Sequence, residues 1–339
     1  MTQVNCTRPS PTIPVRFIAI WILILFTACG EDPDPPSYPN DHLLRLNHIQ
    51  VAGTHNSYHL DTKSGIPGLD YTHAPIPTQL SSQGVRQLEL DIHWDITRQA
   101  LRVYHIPVVD QLSTCDLLTD CLAQIKGWSD KNPGHLPVVV HLEPKEGYTV
   151  YSRGQQPYDR VEQDLLKVFP RDRLLTPDDV QGSHATLNAA ITKEGWPTLD
   201  KVRGKVMVVI LGGDGNKVYS SGGLHLKGRP MFLSGDEGKP YSATLSFNSS
   251  DTDEAKILAA AKAGYLIRAR ADSPGDDDAK KNNTKKREAA LRAGAHLIST
   301  DYPAKVAGIE YVMKVPGGTP ARCNPITAPA ACTAQDLER

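Results

Sequence analysis

Gly84-Val-Arg-Gln-Leu-Glu-Leu-Asp91 is the run on which the fold turns. A β-strand points alternate residues to opposite faces, so Glu89 and Asp91 share one face while Leu88, Leu90 and Ile92 share the other. The apolar face calls for covering helices. The acidic face, buried on the opposite side, is costly unless the carboxylates bind something. The run therefore predicts a strand with apolar residues outside, under helices, and two acids inside.

Similar runs recur outward from this one, at His48–Thr54, Leu101–His105, Leu136–Glu143, Lys205–Leu211, Leu266–Ala271 and His296–Thr300, with an eighth around Tyr241–Phe247. Between them Asp159–Phe169, Asp253–Ala263 and Lys285–Ala293 pattern as helices, the last closed by Gly294. Strand, crossover helix and strand, repeated, indicate a parallel α/β fold. The apolar runs Pro137-Val-Val-Val140 and Val206-Met-Val-Val-Ile-Leu211 suit strands covered on both faces. Eight such strands make a (β/α)8 TIM-type barrel, for which 339 residues leave room. Residues 42–315 read as one barrel, with 316–339 packed against it as a cysteine-bearing tail.

The C-terminal strand ends of a parallel barrel converge on one face, where active sites lie. His55 and Asn56 follow the first strand, Glu89 and Asp91 sit in the second, His105 follows the third and Glu143 ends the fourth. Three carboxylates and an amide oxygen, with no cysteine among them, are hard ligands suited to Ca²⁺ or Mg²⁺. Two imidazoles at the same rim suit a general base and a general acid.

Lys+Arg number 37 against 38 Asp+Glu, a net charge of −1, which argues against a nucleic-acid binder that works by counterion release. At the N-terminus, Arg8 and Arg16 precede the apolar run Phe17 to Phe26 and then Thr27-Ala28-Cys29, the make-up of an export signal over residues 1–28. The Phe-Thr-Ala-Cys end resembles a bacterial lipobox, in which Cys29 would carry lipid; an ordinary cleaved signal is the alternative. Residues 29–41 are acidic and proline-rich and suit an extended tether. In an oxidising compartment the remaining Cys115, Cys121, Cys323 and Cys332 allow two disulfides, of which the local pairs Cys115–Cys121 and Cys323–Cys332 are the simplest. A zinc site is the rival reading, without a CxxC spacing to support it.

Val51-Ala-Gly-Thr-His-Asn-Ser-Tyr58, Gly84 to Asp91, Val103-Tyr-His105 and Leu136-Pro-Val-Val-Val-His-Leu-Glu143 together resemble the X-region of phosphoinositide-specific phospholipase C, with its His-Asn, Glu-x-Asp, Tyr-His and Leu-Glu in that order. The likeness is to the calcium-dependent bacterial and fungal branch, and extends through Tyr71-Thr-His, Gly264 to Asp272 and Gly294 to Pro303. The resemblance implies a distorted barrel with Asn56, Glu89, Asp91 and Glu143 on Ca²⁺, and His55 and His105 flanking the scissile phosphate. It implies attack of the inositol 2-hydroxyl on its neighbouring phosphorus, with release of diacylglycerol and a cyclic inositol phosphate. His105 would protonate the departing oxygen. His55 would stabilise the phosphorane or act as base, with Glu89 or Asp91 competing for the base role.

Lys145, Arg268 and Arg270 are candidate phosphate contacts, the arginines equally suited to salt bridges; Asp301 either faces the site or caps a turn, and His59, close to the His55 motif, is a candidate to line the rim. Lysines that hold ring phosphates in strand five of polyphosphoinositide enzymes have no counterpart near the end of Lys205–Leu211, which favours plain phosphatidylinositol. The expected partners are a phosphoinositide lipid and a membrane surface reached through the Cys29 anchor, with no nucleic acid and a monomeric chain. The location expected is the cell surface or periplasmic side, with secretion as the alternative. A glycerophosphodiester phosphodiesterase is the second enzyme reading, although His-Arg-Gly is usual there in place of His55-Asn56-Ser57; a sphingomyelinase is more distant. A lipidated protein that only binds inositol lipids is the non-enzymatic alternative.

Overall fold

Strand β2 (Gln87–Asp95) follows β1 (Ile49–Thr54) and is followed by β3 (Ala100–Val103), β4 (Val138–Pro144), β5 (Leu174–Leu175), β6 (Val206–Ile210), β7 (Phe232–Leu233), β8 (Thr244–Phe247), β9 (Leu266–Arg270), β10 (Leu297–Thr300) and β11 (Ala321–Cys323). This computed structural model describes residues 38–145, 158–212, 219–273, 277–317 and 320–338; the expected signal, Cys29 and most of the tether lie outside them. Parallel pairing runs β6-β4-β2-β1-β10-β9-β8. The ring closes through β7, which pairs with β6 at Val209↔Phe232 and Ile210↔Leu233 and meets β8 by the single bridge Ser234↔Thr244. Eight parallel positions result, in chain order, and the barrel is distorted where β7 is short. β5 pairs with the first half of β6, Leu174↔Val206 and Leu175↔Met207, at the end away from the rim.

Helices α1 (Ile76–Ser81), α2 (Leu118–Lys131), α3 (Asp159–Val168), α4 (Pro177–Gln181), α5 (Leu187–Lys193), α6 (Leu199–Val202), α7 (Glu254–Lys262) and α8 (Lys285–Arg292) are the described α-helices. Buried Leu122, Ile125, Val161, Leu165, Ile257 and Ala290 join the core with the outward faces of the strands, Leu88, Leu90 and Ile92 among them. Inside, register sets Gln87 beside Val139, Glu89 beside His141 and Asp91 beside Glu143, so polar and ionisable side chains fill the interior above Val139. Gly53 is required there, because a Cβ would lie 2.0 Å from Gln87 Oε1. Among the described residues no helix is long and apolar enough to cross a membrane.

One expected strand is not a barrel strand. Leu101–His105, read as the third parallel strand, contributes β3, which runs antiparallel to β2 with Ile92↔Val103 and Asp95↔Ala100 in register. A parallel return takes a dozen or more residues. Here the connection turns on Asp95 Oδ1, which accepts from the backbone of Thr97 at 2.9 Å and Arg98 at 3.0 Å, with Gln99 at φ 50°. The hairpin carries Tyr104 and His105 back towards the end of β2. The tail packs by β11 running antiparallel to β1, by burial of Leu337 and by the Arg86–Glu338 ion pair. Cys115–Cys121 and Cys323–Cys332 are disulfide-bonded.

Candidate active site

His55 and Asn56 leave the top of β1. Asn56 takes φ 44°, a left-handed conformation that asparagine tolerates better than most side chains. Its Nδ2 donates to the Tyr71 hydroxyl at 3.2 Å, and its buried Oδ1 has no hydrogen-bond partner among the described residues. Glu89 and Asp91 point inward from β2 and are buried. Arg268 of β9 donates from Nη2 to Glu89 Oε2 at 2.6 Å and from Nη1 to Asn248 Oδ1 at 2.7 Å. Burial works to raise the Glu89 pKa, but Arg268, then His55, outweigh it and hold the carboxyl at about 2. Asp91 goes the other way. Burial pushes it well above the usual carboxylate range against the pull of Lys145, and Glu143 adds to the rise.

Lys145 Nζ stands 2.9 Å from Asp91 Oδ2 and 3.0 Å from Glu143 Oε2. Apart from that ion pair, neither Asp91 oxygen has a well-aligned donor among the described residues, although the buried Tyr58 hydroxyl stands against the carboxyl. Glu89, Asp91 and Glu143 can bring one oxygen each within 4.8 Å of the others, about twice a Ca–O bond of 2.3–2.6 Å. An orphaned amide oxygen, an under-bonded buried carboxylate and two further acids fit a calcium ion better than a softer metal.

His55 Nδ1 donates to Asp301 Oδ1 at 2.8 Å, and its Nε2 lies 3.8 Å from Glu89 Oε1. Asp301 Oδ2 receives Arg270 Nη2 at 2.9 Å, and Arg270 also reaches Asp272. Against burial, Arg270 and then His55 hold Asp301 far below the usual range, while burial and the neighbouring Asp301 push Asp272 up to about 6. Asp301, left open between a site role and a turn cap, thus orients His55. The two arginines are both salt-bridged and turned to the cleft. That cleft, of about 770 Å³, is lined by His55, Glu89, Glu143, Lys145, Arg268 and Arg270, with the neutral Ser234, Ser246 and Asn248 on its walls.

His105 is not among the lining residues. Its Nδ1 meets Asp110 Oδ2 at 3.0 Å, and burial lowers its pKa despite that bond. His59 is fully buried behind it and does not reach the rim it was a candidate to line. His73 and His141 are also buried, held near pKa 4 and 3 by desolvation, and His73 Nε2 donates to the His55 carbonyl at 2.8 Å. Asp110, Asp272 and Asn248 were missed from the sequence. Asp110 and Asn248 reach their partners through loop geometry, which no periodicity encodes, whereas Asp272 continues the two-residue alternation of Arg268 and Arg270 that could have pointed to it.

Residues 44–99 and 95–325 match the family model described as phosphoinositide phospholipase C, Ca²⁺-dependent. The calcium-dependent phosphoinositol-specific phospholipase C of a Pseudomonas species superposes with a TM-score of 0.60 at 21% identity, over 84% of this chain and 97% of that one. The Ca²⁺-dependent phosphatidylinositol-specific enzyme of Streptomyces antibioticus gives 0.56 at 17% identity, over 77% and 95%. No curated protein sequence matches the chain.

Proposed function

The chain belongs to the Ca²⁺-dependent phosphoinositide phospholipase C family of phosphoric diester hydrolases, and from that premise we propose that it cleaves phosphatidylinositol to diacylglycerol and a cyclic inositol phosphate. The observation that carries this reading is the convergence of the Glu89, Asp91 and Glu143 oxygens beside His55, which is paired to Asp301. Asn56, Glu89, Asp91 and Glu143 would hold calcium, which when bound lowers the pKa of the attacking hydroxyl and offsets phosphoryl charge.

Asp301, held ionised by Arg270, can only accept from His55, so the hydrogen of His55 sits on Nδ1. Nε2 then has its lone pair for the inositol 2-hydroxyl proton, and His55 is our base. His105 gives a proton to the departing glycerol oxygen. Lys145, Arg268 and Arg270 supply positive charge to the phosphate side of the cleft. The opposing hydroxyl and amide groups of Ser234, Ser246 and Asn248 suit unphosphorylated inositol, and Lys205 lies at the start of its strand, with Nζ directed to the Leu174 carbonyl.

An apolar tip supports work at a lipid surface. Ile106, Val108, Val109 and Leu112 are exposed just beyond His105, and Val108 is 92% exposed at φ 69°, a conformation β-branched residues avoid. We propose that this tip contacts the bilayer and that a lipid on Cys29 tethers the exported enzyme beside it. Release of soluble inositol phosphate from phosphatidylinositol vesicles, abolished by a calcium chelator, is the expected result. Calcium-independent release overturns the mechanism. Cleavage of glycerophosphocholine in its place favours the diesterase reading, and no turnover with retained vesicle binding favours a lipid-binding protein.

A further inference from the structure

We propose that His59 is a positioning residue for His105, acting through Asp110; the inference rests on the reading of His105 as the acid. Asp110 Oδ2 is shared by His59 Nε2 at 2.8 Å and His105 Nδ1 at 3.0 Å. The other nitrogen of His59, Nδ1, faces the Tyr71 carbonyl at 2.9 Å. A carbonyl only accepts, so Nδ1 carries a hydrogen. The hydrogen between Nε2 and Asp110 then sits either on the imidazole or on the carboxyl. In both cases His59 and Asp110 together bear no net charge. A buried carboxyl beside the acid is thereby neutralised without a cation that competes for substrate.

The same contacts fix geometry. His59 stacks on Tyr71 at 4.2 Å between centroids and 24° between planes. The Tyr71 hydroxyl in turn receives the amide of Asn56. Asp110 is pinned at the backbone by its bridge to Ile106, with Asp110 N donating to the Ile106 carbonyl at 3.0 Å. Its Oδ1 is buried and has no hydrogen-bond partner among the described residues. Among the described residues the grip on the side chain is therefore at Oδ2, where His59 supplies the only bond besides that of His105. With Nδ1 of His105 held inward, Nε2 is the ring nitrogen without a partner among the described residues, left for the departing oxygen. Losing His59 leaves Asp110 free to rotate, and His105 with it. His59 is 0% exposed, so it acts without touching substrate.

The test compares two leaving groups with the calcium-loaded, full-length chain. Phosphatidylinositol in mixed micelles expels an alkoxide that needs a proton, whereas inositol p-nitrophenyl phosphate expels a phenolate that needs none. For His59→Phe, which keeps the ring, kcat on the lipid should fall about 10–100-fold, part of the roughly 10²–10⁴-fold that a general acid supplies. KM and the calcium midpoint should stay put, and the nitrophenyl ester should lose less than about threefold. His59→Gln, which can still donate to Asp110, should restore most of the lipid rate. Should His59→Phe not fold, His59→Asn, too short to reach Asp110, carries the same comparison. Wild-type lipid turnover, or equal losses on both substrates, overturns the role of His59. Equal losses for His105→Ala instead overturn the acid reading on which it rests.

Discussion

Arg268→Leu removes the cation from a buried pair and leaves Glu89, 1% exposed, as an uncompensated carboxylate. The His55 imidazole, with the lone pair of Nε2 3.8 Å from Oε1, does not replace the lost cation. Removing one partner of a buried ion pair costs about 3–5 kcal/mol, or a fall of about 5–8 °C in Tm for a domain of this size. The sign of the pH dependence follows. Wild-type Glu89, at about 2, lies below its ordinary 4.5, so its pair stabilises the fold above 4.5 and is lost only as pH falls through about 2. In the variant the Glu89 pKa rises above 4.5, so the penalty is largest at neutral pH and is relieved as the carboxyl takes up a proton. Between pH 7 and 4.5, at about 1.36 kcal/mol per unit, up to about 3 kcal/mol is regained relative to wild type. Calcium should substitute for the missing charge. Thermal unfolding with chelator and with millimolar calcium, at pH 7 and pH 5, reads all of this. A loss that is the same in all four conditions would refute the electrostatic account and leave only a packing defect.

Asp301→Asn should cut kcat about 100-fold or more, because an amide can present its NH₂ to His55 and favour the wrong tautomer, with the calcium midpoint by titration calorimetry unchanged. Asp91→Asn and Asn56→Ala should each weaken calcium binding about tenfold or more in the same measurement, since one removes charge and the other an orphaned oxygen. Val108→Asp should lower vesicle cleavage about tenfold while sparing a soluble short-chain inositol ester, its apolar surface being used only at a bilayer. His296 is held neutral at about 3 by burial, accepting the Ile267 amide at Nδ1 and directing Nε2 to the Asn47 carbonyl. The unfolded chain takes up a proton near 6.5 that this ring refuses, so His296→Gln should flatten the acid loss of stability below pH 6.5 by about 1.4 kcal/mol per unit, read by urea unfolding.

Alternation within β2 determined, from sequence alone, that Glu89 and Asp91 face one way and Leu88 and Leu90 the other, because strand geometry has a period of two. The same local rule delivered β4 with Glu143, the cysteine pairs by proximity, and the cap at Gly294, which has φ 83°. Tertiary structure alone decided what those side chains meet. Arg268 reaches Glu89 across 179 residues and His55 reaches Asp301 across 246, separations over which no periodicity or spacing carries information. The direction of β3 also escaped a reading based on strand patterning, since an apolar run looks alike in a parallel crossover and in a hairpin; a turn held by one aspartate decided it. Residue types set which chemistry the chain can hold, and the closing of the barrel sets which of those residues share it.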